Sequence, residues 1–481
     1  MPETRVPPGP RLPRPVQTAG WVTRPGPFME RCRARYGDTF RMRIANEGTW
    51  VMLADPDAVR QVFTGDPRLL HAGEANAVLR PLLGRHSVLL LDDAPHLAQR
   101  KLLLPPFHGE RMKRYGDLMT RIAEDEVGGW PVGEPLALMP RMQGLTLEII
   151  LRAVFGIREA DRLDRLRRLL STMLDSTMRR PTAFAAMAML GPKRVEQLGV
   201  FRRVIAPVDE LLFDEIHRRR SDPGVAERDD ILSLLVQASH EDGTPMSDQE
   251  LRDELLTLLV AGHETTATTL SWALERLLRH PAAWQRLRDE AAAGEDAYLD
   301  ATVKETLRLR PVLPIVVRRL REPMEIGGYH LPAGITVAPC IYLVHRRADL
   351  YPEPHAFRPE RFLTTPPGTY TWIPFGGGVR RCLGASFALF EMTTVLRVVA
   401  RSAALTATHP ERPERVQRRL IMLTPRNGAE VVREPVAVRG AKSARMVTEY
   451  QAKNEALGSS GPTGGPATAP VALKSAISSA E

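Results

Sequence analysis

The chain has 481 residues, 43% of them hydrophobic, which is enough for one large core or several small ones. Its three cysteines, Cys32, Cys340 and Cys382, are too few and too scattered for a disulfide framework and fit a reducing compartment. With 66 Lys+Arg against 57 Asp+Glu the net charge is +9, but the basic residues are dispersed and no nucleic-acid-binding module is recognisable.

Met1 to Pro10 carries no apolar segment of signal type, and no stretch approaches the ~20 apolar residues of a membrane span. The expectation is a soluble, cytoplasmic protein. Prolines recur through residue 27, so residues 1–29 read as an extended, non-helical lead-in. Residues 36–63 alternate as strands at Phe40 to Ile44 and Trp50 to Leu53, followed by a helix from Pro56 to Phe63. Residues 70–95 show no clear period and read as loop with short helical turns. A helix from Ala94 to Leu104 then places His96 and Arg100 four residues apart on one face. Residues 115–220 are helical, notably Leu145 to Phe155 and Ala160 to Leu174, with Pro181, Pro192 and Pro207 as breaks; Ala183 to Leu190 is apolar and Met-rich.

A long helix is announced at Ser247 by the capping box Ser247-Asp248-Gln249-Glu250 and ends before Pro281, a span of roughly 50 Å. It is apolar nearly all round at Leu255 to Ala261, as a buried helix is, yet Gly262, His263, Glu264, Thr265 and Thr266 follow directly. Glycine in a helix interior costs up to about 1 kcal/mol, and a buried acid beside two hydroxyls costs more. Such a departure from helix rules marks function. Downstream, a helix from Tyr298 to Arg310 carries Glu305 and Arg308 at i,i+3; Pro311 to Val317 is apolar and extended; strands are expected at Met324 to Ile326 and Ile335 to Ile341.

The loop Phe375 to Gly384 joins three consecutive glycines to Cys382 and to an apolar helix over Leu383 to Glu391. Glycines permit positive φ and close approach of a flat ligand, and the helix N-terminus is expected to lower the Cys382 pKa towards a metal-binding thiolate. Arg380 is placed to meet a carboxylate of the same ligand. No Gly-Lys-Ser/Thr follows, so this is not a phosphate loop. Taken singly, each feature also reads as ordinary structure: a small buried cysteine, a solvated ion pair, threonines bonded back to their helix. Finally, Arg418 to Val432 reads as strand, turn at Pro425 to Gly428, strand, and residues 441–481 as a low-complexity tail.

Phe375, Gly376, Gly378, Arg380, Cys382 and Gly384 fill every fixed position of Phe-Gly-x-Gly-x-Arg-x-Cys-x-Gly, which resembles the heme-binding signature of the cytochrome P450 family. The resemblance extends over roughly residues 30–435 and implies a mainly α fold with small β-sheets. It implies one large domain, here residues 30–440, with heme between the long central helix and the helix after Cys382. By the same resemblance Cys382 binds the iron of heme b, with Phe375, Gly376, Arg380 and Gly384 around it. His96, Arg100 and Arg318 hold the propionates, Arg319 being the neighbouring alternative. Ala261 and Gly262 leave room for O2, Glu264 and Thr265 supply protons, and Glu305, Arg308 and Arg361 form a network that fixes the cysteine loop. Ala183 to Leu190 resembles a lid over the substrate channel. The implied reaction inserts one oxygen atom from O2 into a hydrophobic organic molecule, by hydroxylation or epoxidation. Electrons would come from a separate ferredoxin or flavodoxin with its reductase, docked on Arg100, Lys101, Arg111, Lys113, Arg114 and Arg381. A heme-binding sensor or electron-transfer protein would also use Cys382, but would have no need of Glu264 and Thr265. Aliphatic pocket candidates, residues 70–95, Val260, Val312 to Val317 and Ile421 to Leu423, point to a fatty acid, terpenoid, steroid or polyketide.

Overall fold

A computed structural model describes residues 6–107, 111–157, 159–179 and 191–435. The start of the chain departs from expectation: α1 (Arg14–Thr23) and α2 (Pro25–Tyr36) are helices, not an extended lead-in over residues 1–29. Each takes a proline in its first turn, where the missing N–H has no intrahelical partner to lose and the fixed φ is already helical. Burial of Trp21, Phe28 and Met29 against the first hairpin holds them. That hairpin, β1 (Thr39–Ile44) and β2 (Gly48–Leu53), and α3 (Pro56–Thr64) lie where the sequence places them, with Asp55 accepting from the Ala58 N–H as cap. Residues 70–95 are the expected mixture of loop and short pieces: β3 (Leu70–His71), α4 (Ala72–Ala75) and α5 (Arg80–Leu83). Next, α6 (Asp93–Leu103) carries His96 and Arg100.

The helical middle comprises α7 (Arg111–Gly128), α8 (Leu138–Phe155) after the short β4 (Pro135–Ala137), α9 (Ala160–Leu174), α10 (Pro192–Gln197) and α11 (Gly199–Arg220). Pro207 does not punctuate; it lies inside α11. Its ring costs about 3 kcal/mol there, and the buried stripe Ile205, Val208 and Leu212 on both sides of it outweighs that. Pro181 and the expected lid segment, Ala183 to Leu190, lie outside the described residues, as does the tail 441–481.

After α12 (Ile231–Gln237) comes α13 (Asp248–Leu278), about 47 Å long. Both halves of its capping box form: Ser247 accepts from the Glu250 N–H and Glu250 accepts from the Ser247 N–H at 2.7 Å. The rest of the site's frame is α14 (Pro281–Ala293), α15 (Ala297–Leu309), β5 (Arg318–Leu320), β6 (Met324–Ile326), β7 (Tyr329–Leu331) and β8 (Thr336–Pro339). The strand expected over Ile335 to Ile341 is shorter because α16 (Ile341–Val344) begins at its end. The largest sheet has the order β1-β2-β8-β5-β3.

The chain then passes through α17 (Arg361–Thr364) to the cysteine loop, and α18 (Ala385–Ser402) packs on α7 and α13. The end of the chain was expected to be a hairpin about Pro425 to Gly428. Instead β10 (Val416–Arg419) and β11 (Met422–Pro425) pair across Leu420 and Ile421. Meanwhile β12 (Glu430–Glu434) pairs with β4 and with β9 (Ala404–Ala407). Gly428, at φ +79°, turns the chain onto Ala137, and strand partners distant in sequence decide the outcome. Among the described residues no helix is long and apolar enough to cross a membrane.

Candidate functional site

The cysteine loop is built by contacts on both sides. Gly376 and Gly378 have φ of +67° and +64°. A Cβ on Gly377 would sit 2.1 Å from the Phe63 ring, and one on Gly378 2.1 Å from the Phe63 carbonyl oxygen. What these two glycines admit is therefore α3, where the sequence pointed to a flat ligand. The Cys382 N–H donates to the Phe375 carbonyl at 3.0 Å, closing the loop. Phe375 meets Trp372 edge-on at 6.0 Å, and the Trp372 indole donates to the Lys304 carbonyl of α15 at 3.2 Å. Cys32 and Cys340 are buried, whereas Cys382 is exposed. It is accessible yet surrounded by protein, as a group lining an internal space is. Burial raises its pKa, with the Gly384 N–H, Arg100 and Arg381 pulling the other way. The expected lowering does not appear, because burial of the thiol outweighs the Gly384 N–H at the start of α18 and the two arginines.

Beside the thiol lies a cluster with too little negative charge. Arg380 donates to Asp92 Oδ1 at 2.5 Å and to the Leu91 carbonyl at 2.6 Å. Asp92 is itself held by the Gly73 and Glu74 N–H groups at 2.8 and 2.9 Å. Buried His96 is pushed down to about 3, by burial first and then by Arg380 and Arg100, so its imidazole is neutral. Burial and the neighbouring Arg380 lower Arg318 to about 10. Arg318 donates to the Val317 carbonyl at 2.7 Å, while Arg319 turns outward to the Gly334 carbonyl and Glu74. Of the two candidates Arg318 is thus the one in the cluster. Three guanidiniums and a neutral imidazole gathered at Asp92, with Asp93 also acting on Arg380, make a site for further anionic groups.

Above this, α13 has one accessible stripe. From Leu251 to Leu278 every residue is buried except Leu258, Val260, Ala261, Gly262 and Thr265; Leu258, Ala261, Gly262 and Thr265 share one helix face, and Val260 lies off it. Ala261 is exposed on it, although the helix runs through the core. The Thr265 hydroxyl donates to the Ala261 carbonyl at 2.7 Å. Glu264 is 1% exposed and points elsewhere, both its oxygens accepting from the Gln143 amide of α8 at 2.9 and 2.8 Å. The two expected partners are adjacent in sequence but face different directions. Gly262 brings α8 close: a Cβ there would lie 3.2 Å from Ile150.

Glu305, Arg308 and Arg361 meet. Glu305 and Arg308 are fully buried and joined at 2.7 Å, and Arg361 reaches Glu305 at 3.1 Å. Arg308 also donates to the His345 and Pro354 carbonyls at 2.8 Å and to Ala356, while the Arg358 N–H donates to Glu305 at 2.8 Å. One carboxylate and one guanidinium thereby gather α15, the loop before α17 and α17 itself. Close by, the Ile373 N–H donates to His345 at 2.9 Å, continuing the network towards the cysteine loop.

Of the basic residues expected on the cysteine side, Arg100 and Arg381 act on Cys382. Lys101 is paired with Glu241 at 2.6 Å and Arg114 with Asp229, so neither is a free cation. The side chains of Arg111 and Lys113 lie outside the described residues. Among the pocket candidates, the Leu423 N–H donates to the Val312 carbonyl at 2.8 Å, bringing the hairpin that carries Ile421 beside the 312–317 segment. Three participants escaped sequence reasoning: Asp92, Gln143 and Glu391. A lone amide among the apolar residues of α8 was the available signal for Gln143; a carboxyl on the buried face of α18 was that for Glu391.

Comparison with known proteins gives a consistent answer. The family model described as cytochrome P450 matches residues 7–431. A protein described as cytochrome P450 135B1 from Mycobacterium tuberculosis is 45% identical over 434 residues, covering 89% of this chain and 91% of the relative. Another described as cytochrome P450 137, from the same species, is 41% identical over 404 residues, covering 84% of each. Among solved structures, retinoic-acid-bound cyanobacterial CYP120A1 has a TM-score of 0.76 at 24% identity, covering 90% of this chain and all of that one. The heme domain of cytochrome P450DA has the same score and identity. At that identity the likeness is one of fold.

Proposed function

The chain belongs to the cytochrome P450 family of heme-binding monooxygenases, and on that premise we propose that it is a cytoplasmic enzyme. It would bind heme b through Cys382 and oxygenate a hydrophobic organic molecule with electrons from a separate ferredoxin or flavodoxin. The observation that carries this reading is the thiol lining an internal space beside a cluster short of negative charge. Two propionates would satisfy Arg100, Arg318 and Arg380 by charge-assisted bonds, and neutral His96 has an N–H to donate. The donor set therefore fits the group. When bound, a heme with a cysteine thiolate ligand carries extra electron density that favours O–O cleavage.

The chain's own residues have separable tasks. Ala261 keeps the stripe of α13 bare, so that a small molecule can approach the helix, while Gly262 lets α8 pack close. Thr265, on the same stripe, holds a proton at Oγ1 and now donates it to the Ala261 carbonyl. Glu264 is held behind the stripe by Gln143 and would have to leave that amide and take up a proton from elsewhere before passing one towards Thr265. For the electron donor, Arg381 with exposed Leu97 and Val379 offers a basic surface with apolar contacts on the cysteine side. The absence of a disulfide framework, with three free cysteines, supports the cytoplasmic assignment.

Thr265→Ala tests the assignment of the stripe. Removing one hydroxyl from a relay that contributes about 10²-fold should leave cofactor binding unchanged while electrons are diverted from product to peroxide. The ratio of product to reductant consumed, measured with the parent and the variant side by side, checks it. Equal ratios would remove Thr265 from the proton path.

A further inference from the structure

One titratable side chain of the α13 motif has no task in the reading above. His263 is buried in the seam between α13 and α8, turned away from the accessible stripe. Its ring bridges two polar groups. Nδ1 lies 3.0 Å from the Thr146 hydroxyl of α8, and Nε2 lies 3.5 Å from Oε1 of Glu264. Thr146 and Glu264 are buried as well. The Thr146 hydroxyl has one hydrogen and two carbonyls within reach to take it, Met142 at 2.9 Å and His263 at 3.1 Å. Once the hydrogen goes to either carbonyl, Oγ1 can meet Nδ1 only as an acceptor, so Nδ1 carries a hydrogen of its own. Nε2 of a neutral ring would then aim a lone pair at a carboxylate oxygen. Two acceptors facing each other in the interior repel unless a proton stands between them. Whichever side holds that proton, the pair becomes an acid beside an imidazole or a carboxylate beside an imidazolium, and neither leaves a buried charge uncompensated.

We propose that His263 and Glu264 share one stored proton and that His263 is the group that charges Glu264. The separation of 3.5 Å is only about 0.3 Å beyond an ordinary hydrogen bond, so a small turn of either side chain closes it. In the pose that Gln143 holds, the Nε2–H bond breaks and the Oε1–H bond forms, leaving a neutral ring with its hydrogen on Nδ1. Glu264 then leaves the amide with that proton, and water returns one to Nε2. The pose against Gln143 is thus the charging pose of the acid. His263 acts through Glu264 and is a positioning residue. The proton store stands on the geometry of the seam alone; its use in turnover rests on the functional reading above.

Counting protons on the pair tests the store, in the full-length holoprotein reduced under carbon monoxide. Nitrogen-15 resonances of the His263 ring, assigned by their loss in His263→Asn, report which ring nitrogens carry hydrogen. An infrared carboxylic-acid band that disappears in Glu264→Gln reports the other site. The expected total is two protons, one of them on Nδ1. A total of one, with the ring protonated at Nε2 beside an ionised Glu264, would overturn the inference. If His263→Asn does not fold, Glu264→Gln serves for the assignment too, because it moves the resonances of the same ring. In turnover, folded His263→Asn should keep the cofactor spectrum of the parent and form about tenfold less product per reductant consumed. An unchanged ratio would remove His263 from the proton path. Two protons on the pair of a protein that carries no porphyrin would sink the monooxygenase reading and leave the store standing; one proton in a protein with a thiolate-type spectrum would do the reverse.

Discussion

Two carboxyls buried next to the accessible stripe are treated differently by their surroundings. Glu264 has both oxygens engaged by Gln143, whereas Glu391, 2% exposed on α18, has the Thr266 hydroxyl to bond with. Burial pushes Glu391 up to about 8, with Thr266 opposing, so the neutral acid is the folded form near neutrality. For such a group the native state keeps a proton that the unfolded chain releases, from the ordinary carboxyl range up to about 8. Stability should therefore fall as pH rises through that window and lose nothing to this group below it. Glu254, also raised to about 8 by burial, adds a slope of the same sign. Glu391→Gln should flatten part of the decline and be the more stable protein near pH 8, by roughly 1.4 kcal/mol for each unit of separation removed. Urea midpoints of parent and variant across that range test it; parallel curves would mean that Glu391 is not held neutral. At this scale the cysteine signature was legible because its ten residues are contiguous. Glu264's direction was not, since its partner lies 121 residues away and no local pattern encodes it.

At the scale of elements, the buried group at Glu305 organises more than a helix pair. Its carboxylate is the charge opposite two guanidiniums, and Arg308 is fully buried. Glu305→Gln leaves Arg308 uncompensated in the interior, which should cost on the order of 3–5 kcal/mol and loosen the loop that Trp372 and His345 tie to the same region. Arg361, more accessible, should cost less on change to Ala, about 1 kcal/mol. Denaturation of both variants measures the difference, and equal losses would contradict a buried core with an outer member. Helices with strong caps, such as α13, were readable because Ser247 and Glu250 act locally. The first two helices were not, since proline content alone does not say whether a proline falls in a first turn. Nor was the last hairpin: β12 is fixed by β4 and β9, which are remote in sequence.

Across the whole molecule, the net charge of +9 is partly spent internally: Lys101 and Arg114 face acidic partners. What remains near the thiol, Arg381 above all, is screened over about 10 Å at 0.1 M salt. If an acidic electron donor docks there, turnover at limiting donor should fall as salt rises, and Arg381→Gln should reduce that dependence; a salt-independent rate would move the docking surface elsewhere. Fold and cofactor were legible together because one short motif carries both.

The most direct measurement is the spectrum of the reduced protein under carbon monoxide, recorded for the parent and for Cys382→Ser. A red-shifted Soret band of thiolate type in the parent, lost in the variant, is the predicted result. A parent without porphyrin, or a variant with an unchanged band, would contradict Cys382 as the ligand.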